Sequence, residues 1–127
     1  MSGKKLIIFG EMHFTDDVER IRDNTIKLQP DIILHEMYDD ECEFYNNHYI
    51  KIKPLETIVY DKFYHRELHM TNNIIQALLE YNHVVVILGD THIRYGSVDG
   101  LPKSIITETF KSYDFSSIKR SSYKEVT

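Results

Sequence analysis

The chain has 127 residues, of which 42% are apolar and 28% are charged, and its formal net charge is −5. This length and composition predict one globular domain with one hydrophobic core. The acidic balance argues against a nucleic-acid partner, because nucleic-acid-binding domains usually carry a basic surface. The single cysteine, Cys42, excludes an internal disulfide and a cysteine-rich zinc module and is typical of a reducing compartment.

No apolar segment has the length that a secretory signal or a membrane span requires. The apolar run closest to the start of the chain is Leu6–Phe9. A secretory signal needs roughly seven or more apolar residues, and a membrane span needs about 18. We therefore expect a cytoplasmic protein without a membrane partner.

Strands and helices are predicted to alternate from the start of the chain. Residues 6–9 and 31–34 form short apolar runs, which are typical of strands buried on both faces. Between these runs, apolar residues recur at helical spacing. Thr15 or Asp16 is placed to cap this helix, and Glu19 follows Asp16 at the spacing of a capping box.

The central part of the chain is less regular. Residues 39–56 show no clear pattern, whereas residues 57–60 predict a short strand. Asp61 is placed to cap a long helix that extends to about residue 81. The apolar run at residues 83–88 is the clearest strand in the sequence.

The last predicted helix extends from Pro102, a favoured first helical residue, to about residue 111. Residues 112–127 predict a serine-rich tail beyond a core of about 5–111. Strands that alternate with helices of these lengths predict one α/β domain, with a mostly parallel sheet flanked by helices.

Polar residues directly follow the three apolar strands. The segments are Gly10-Glu11-Met12-His13, His35-Glu36-Met37-Tyr38 and Gly89-Asp90-Thr91-His92. Because the carboxyl ends of parallel strands share one edge of a sheet, we expect their acids and histidines to form one pocket. The residues concerned are Glu11, His13, Glu36, Asp90 and His92. Such a set can bind a divalent metal such as Mn, Zn or Co, or supply a general base with its orienting partner.

The first segment resembles the opening motif of the erythromycin esterase / ChaN-like / TraB–Tiki superfamily. Further similar segments, in the superfamily's order, are Leu34-His35-Glu36-Met37-Tyr38, Arg66-Glu67-x-x-Met70-x-x-Asn73, Val84 to His92 and Gly100-Leu101-Pro102. The resemblance spans residues 5 to about 108 and implies an α/β fold with its site at the sheet edge. The site residues that it implies are Glu11, His13, Glu36, Arg66 and His92. The superfamily includes esterases, metal-dependent peptidases and haem-binding proteins.

Helical angles place Arg66 at the edge of the apolar arc of its helix. A guanidinium there could clamp a carboxylate, a phosphate or a developing oxyanion, and the alternative is a structural ion pair. His65 and His69 lie opposite the apolar arc at i, i+4 spacing. Their order is not His-Glu-x-x-His, and we expect both to face water.

Two functions are compatible with these residues. The first is a small hydrolase, metal-dependent or with His/Glu general-base catalysis, that acts on an ester, amide or related bond of a small molecule or peptide. His13 would be the base or a metal ligand, and Arg66 would stabilise charge. The alternative is a binding module for a metal, haem or small anionic ligand, in which Tyr38 could hold haem iron. The sequence leaves open a monomer or a homodimer.

Overall fold

The computed structural model describes residues 4–94 and 104–111. The elements are β1 (Lys5–Glu11), α1 (Asp17–Leu28), β2 (Ile32–His35), α2 (Tyr38–Asn47), β3 (Ile52–Pro54), α3 (Phe63–Glu80), β4 (His83–Gly89), α4 (Thr91–Arg94) and α5 (Ile105–Phe110). Within the described ranges, none of the helices combines the length and apolar character that a membrane span needs.

The strands form one four-stranded sheet in the order β1-β4-β2-β3, and all neighbouring pairs are parallel. Helices flank this sheet, so the predicted α/β fold with a parallel sheet is confirmed. In the β1–β4 pair, Glu11 aligns with Gly89, and in the β2–β4 pair His35 aligns with Ile87. The strands that precede the three polar segments are therefore neighbours, and they end at the same edge.

Apolar side chains cover both faces of the sheet because residues alternate between the faces along each strand. Leu6, Ile8 and Leu88 belong to a core cluster that includes residues of α3 and α5. Ile7 and Phe9 belong to a second cluster that includes residues of α1 and α2. The continuous apolar runs of β1 and β4 follow from this burial on both faces.

The structure corrects the prediction for the central part of the chain. Residues 39–56, which show no clear pattern, contain most of α2 and the edge strand β3. The predicted strand at residues 57–60 is wrong, because this segment is a loop in which Val59 is 94% exposed. β3 lies five residues earlier, where Ile52 is buried and pairs with Ile33.

The first residues of α1 also differ from the prediction. Asp16 is the N-cap residue, but its side chain makes no capping hydrogen bond, so the capping box with Glu19 is wrong. The Thr15 hydroxyl instead accepts a hydrogen bond from the Asp17 N–H at 3.2 Å. Asp17 is buried and accepts the N–H of Met12 at 2.8 Å. These bonds fix the turn between β1 and α1.

The later helices begin close to their predicted positions. The N-cap of α3 is Lys62 rather than Asp61. Ser104 caps α5 and its side chain accepts the backbone N–H three residues further along. Pro102 and the tail at residues 112–127 lie outside the described residues.

The close approach of β1 to α4 leads to a first prediction. A Cβ atom at Gly10 would lie 2.7 Å from Ile93 Cδ1 and 3.0 Å from Asp90 Cα, and it would also collide with Asp90 Oδ1. We expect Gly10→Ala to lower the free energy of unfolding by about 1–3 kcal/mol, measured by urea denaturation. An unchanged free energy of unfolding in Gly10→Ala would contradict this account.

Candidate active site

The carboxylate of Glu36 lies at the carboxyl edge of the sheet and contacts groups from several elements. Its Oε1 accepts the Gly89 N–H at 2.6 Å and lies 3.3 Å from His13 Nε2. Its Oε2 lies 3.2 Å from His92 Nε2 and accepts from Arg66 Nη2 at 2.8 Å. The predicted convergence of the polar segments after β1, β2 and β4 is therefore confirmed for these side chains.

Each of the two imidazoles bridges two carboxylates. His13 Nδ1 lies 2.7 Å from Glu11 Oε1, and His92 Nδ1 lies 3.2 Å from Glu67 Oε2. Both rings therefore direct Nε2 at Glu36 and Nδ1 at a carboxylate of their own. We call these contacting residues the Glu36 network. It comprises Glu11, His13, Glu36, Arg66, Glu67 and His92.

Glu67 is the member of the Glu36 network that no sequence pattern predicted as a site residue. This residue lies on α3 and is fully buried. It shares the apolar side of the helix with Met70 and Ile74, which are also fully buried. A carboxylate among core positions of a helix is uncommon unless it has a partner, and this signal could have identified Glu67 in the sequence.

Hydrogen bonds between opposite charges determine the protonation of the network. The hydrogen bonds with Glu11 and Glu36 raise the pKa of His13 from 6.5 to about 9. Burial lowers the pKa of His92, but the hydrogen bonds with Glu36 and Glu67 outweigh it and leave the pKa raised. An imidazole can donate to a carboxylate from both nitrogens only as the imidazolium ion, so these contacts favour the protonated form of both rings.

The same contacts keep Glu36 ionised. Burial raises the pKa of this carboxyl, but hydrogen bonds from His13, His92 and the Gly89 N–H hold it well below its usual range. A buried carboxylate is stable only when it is paired in this way.

The network is accessible at one end and closed at the other. The side chains of His13 and Arg66 are 23% and 31% exposed. His92 is buried, and its ring stacks on Phe63 with the centroids 4.4 Å apart. A ligand can therefore reach His13 and Arg66, whereas the His92 ring is buried and held by the stacked ring of Phe63.

Arg66 extends into the site, as its position on the helix predicts. Its Nη2 donates to Glu36, and its Nε and Nη2 also donate to Glu56 at 2.9 and 2.8 Å. The hydrogen bonds to Glu56, followed by the attraction of both carboxylates, raise the pKa of Arg66. The alternative of a structural ion pair is thus also present, because Glu56 in the loop after β3 holds the guanidinium in place.

The Asp90 carboxylate lies beside Gly10, because a Cβ atom added there would collide with Asp90 Oδ1. A Cβ atom at Gly89 would instead face Glu36, His13 and His92. A role for Asp90 in the pocket or as a metal ligand stays a prediction.

Tyr38 begins α2 and is half-buried against the core cluster of α1 and α2. With Glu36 it lines an open cavity of about 570 Å³. Three further carboxylates line the same cavity, those of Asp39, Asp40 and Glu56. This acidic lining favours cations and disfavours the carboxylates of haem. A haem-binding role for Tyr38 stays a prediction.

The Glu36 network has the donor chemistry of a metal site but not its spacing. Across residues 4–94 and 104–111, no three His, Cys, Asp or Glu side chains are spaced to hold one metal ion. The two Nε2 atoms contact different oxygens of Glu36. The donor chemistry nevertheless fits, because ligand imidazoles usually donate their second N–H to a carboxylate, as His13 and His92 do to Glu11 and Glu67. A metal ion would have to displace the two Nε2 protons.

No protein-family model matches the chain, and no curated protein or solved structure matches it either. The resemblance to the erythromycin esterase superfamily therefore stays a prediction from short motifs. The function has to be argued from the geometry of the site.

The paired histidines of α3 differ in their surroundings. His65 is exposed, as expected. The prediction was wrong for His69, which is half-buried and whose Nε2 accepts the N–H groups of Thr57 and Ile58 at 2.9 and 3.2 Å. The loop after β3 folds over this side of the helix, and the same loop carries Glu56.

These contacts predict different effects for the two histidines. His69→Ala removes the acceptor of two backbone N–H groups, and we expect it to lower the free energy of unfolding by about 1 kcal/mol. It should also speed the exchange of the Arg66 Nε–H in NMR spectra, because the loop that holds Glu56 loosens. His65→Ala, one turn earlier on the helix, should change neither quantity. Equal behaviour of the two variants would show that His69 does not hold the loop.

The raised pKa of His13 predicts a pH dependence of stability. Because the pKa is about 9 in the folded chain, the stabilisation is complete below pH 6.5 and is lost as the pH rises through 9. We expect a loss of about 2 kcal/mol over this interval, measured by urea unfolding at each pH. His13→Gln should remove this loss while leaving the other titrating groups in place. If the free energy of unfolding of His13→Gln falls as steeply at alkaline pH as that of the wild type, the pairing of His13 with Glu11 and Glu36 is refuted.

Proposed function

We propose that the protein is a small hydrolase that cleaves an ester, amide or related bond at the Glu36 network. One observation carries the proposal: two imidazoles, each held by its own carboxylate, meet at one carboxylate beside an accessible guanidinium. Positioned imidazoles of this kind transfer protons in catalysis. A cationic group beside them can stabilise the charge of a developing oxyanion.

His13 is the proton-transfer residue in this proposal, because its imidazole is more exposed than that of His92. When its Nε2 proton leaves, Glu11 still accepts the Nδ1–H, so the free lone pair is on Nε2, beside Glu36. Neutral His13 takes a proton from an attacking water molecule and then gives that proton to the leaving group. Arg66 stabilises the negative charge on the carbonyl oxygen. His92 stays protonated and positions Glu36.

The donor atoms of the same residues suit a divalent metal ion such as Mn, Zn or Co, but the side chains would have to draw together to bind it, since no three in residues 4–94 and 104–111 are spaced to do so. His13, His92 and Glu36 would hold it, while Glu11 and Glu67 would orient the two imidazoles. Exchange of two imidazole protons for one dication leaves the charge of the network unchanged. A bound ion would polarise the substrate carbonyl and lower the pKa of bound water.

A binding module without turnover is the second candidate. It is favoured by the completeness of the network, since Glu36 has a partner at both oxygens before any ligand binds. The acidic lining of the adjacent cavity makes a metal ion a better ligand for such a module than haem or a small anion.

We also propose that the protein resides in the cytoplasm. Cys42 is a free thiol, and free thiols persist in reducing compartments.

The hydrolase is tested with p-nitrophenyl acetate between pH 6 and 10, on metal-free protein and on protein loaded with Mn, Zn or Co. If neutral His13 is the base, kcat/KM of the metal-free protein should rise about tenfold per pH unit and level off near pH 9. In His13→Ala, kcat/KM should fall at least about a hundredfold. His65→Ala replaces an exposed histidine outside the Glu36 network and should keep the wild-type kcat/KM.

The metal is tested separately by calorimetry in buffers of different ionisation enthalpy. If one metal ion replaces both imidazole protons, we expect about two protons released per ion at pH 7. Metal binding that requires His13 without hydrolysis would favour the binding module. Equal hydrolysis by wild type and His13→Ala, without metal binding, would refute both functions.

A further inference from the structure

Phe14 has a backbone conformation that the helix ends do not explain. Within residues 4–94 and 104–111, the non-glycine residues with positive φ are Phe14 at 64°, Gln29 at 51° and Tyr49 at 60°. Gln29 directly follows α1, and Tyr49 follows the C-cap residue of α2, positions at which a left-handed residue commonly terminates a helix. Phe14 lies in the turn that leads from β1 into α1, so its conformation needs another reason.

The exposure of Phe14 adds a second cost. Left-handed backbone is unfavourable for a bulky side chain, and Phe14 is also 87% exposed. Hydrogen bonds on both sides of Phe14 nevertheless fix its backbone. The Met12 N–H donates to Asp17, and the Met12 carbonyl accepts from the Thr15 hydroxyl at 2.7 Å. A conformation that is costly and yet fixed from both sides is typical of functional sites.

The position of Phe14 indicates what its side chain does. Its ring lies edge-on to the His13 imidazole, with centroids 6.2 Å apart. It lines an open cavity of about 420 Å³ that also contacts His13 and Glu11. Phe14, Val18 and Met37 form the apolar part of this lining, and the charged part comes from Glu11, Glu19, Arg22, Asp40 and Glu41. An apolar group in this cavity would cover the Phe14 ring and lie beside the proton-transfer residue.

We propose that Phe14 determines substrate specificity by binding an apolar acyl or alkyl chain of the substrate next to His13. This inference rests on the proposed hydrolase function and adds the class of substrate, which is an ester or amide with an apolar chain. The exposed ring is then covered whenever substrate is bound, and the left-handed backbone keeps it beside the reacting carbonyl.

The first test compares p-nitrophenyl octanoate with p-nitrophenyl acetate. Phe14→Gly should lower the octanoate-to-acetate ratio of kcat/KM about tenfold, chiefly through a higher KM for the octanoate. Phe14→Tyr keeps the ring and should keep the wild-type ratio. Tyr49→Gly is the matched control, because Tyr49 has a similar φ and is 97% exposed but follows α2, away from the cavity. It should leave the ratio unchanged. A parallel fall for both esters in Phe14→Gly would overturn the proposal.

The second test does not depend on hydrolysis. The chain has no tryptophan, so Phe14→Trp and Tyr49→Trp each introduce one tryptophan, whose emission can be excited separately from that of the tyrosines. We expect 1-octanol, but not ethanol, to shift the emission of the Phe14 variant to shorter wavelength, and neither alcohol to shift that of the Tyr49 variant. If no ester is cleaved but the shift occurs, the hydrolase fails and the apolar subsite stands. If esters are cleaved but the octanoate-to-acetate ratio and the emission do not respond to Phe14, the subsite alone is refuted.

Discussion

The paired carboxylate of Glu36 is the interaction on which the site depends. It receives hydrogen bonds from the end of β4, from α3 and from the imidazoles that follow β1 and β4. Three of its partners are cations, and without the carboxylate these cations would repel one another at short range. The carboxylate in turn needs them, because a buried charge without partners is strongly unfavourable. Strand ends and helix are therefore fixed relative to one another by the chemistry of the site.

The location of the site could be predicted because two simple patterns coincide in the sequence. Continuous apolar runs indicate strands buried on both faces, and such strands are parallel. Polar residues directly after those runs then lie at one edge, which brought Glu36 together with His13 and His92. Glu67 shows the limit of this reasoning. The edge follows from the order of the elements, but this buried carboxylate reaches His92 from α3 and does not follow an apolar run.

Other parts of the structure depend on contacts that short sequence patterns do not contain. The periodicity of α3 places His69 on the solvent side, but the loop after β3 covers that side and uses the imidazole as an acceptor. The same loop supplies Glu56 to Arg66, a pairing that links residues outside any regular element. α2 and β3 were missed because an acidic first turn and a three-residue strand give little periodic signal.

The order of the strands has a consequence for how the chain folds. β1 and β2 are made first, but they do not pair with each other, because β4 lies between them. During synthesis the sheet therefore has a gap until residues 83–89 have emerged, and closing it requires pairings across a long stretch of sequence. Such distant pairings slow folding. The strand that fills the gap also supplies the Gly89 N–H to Glu36, so the sheet and the site are completed in the same step.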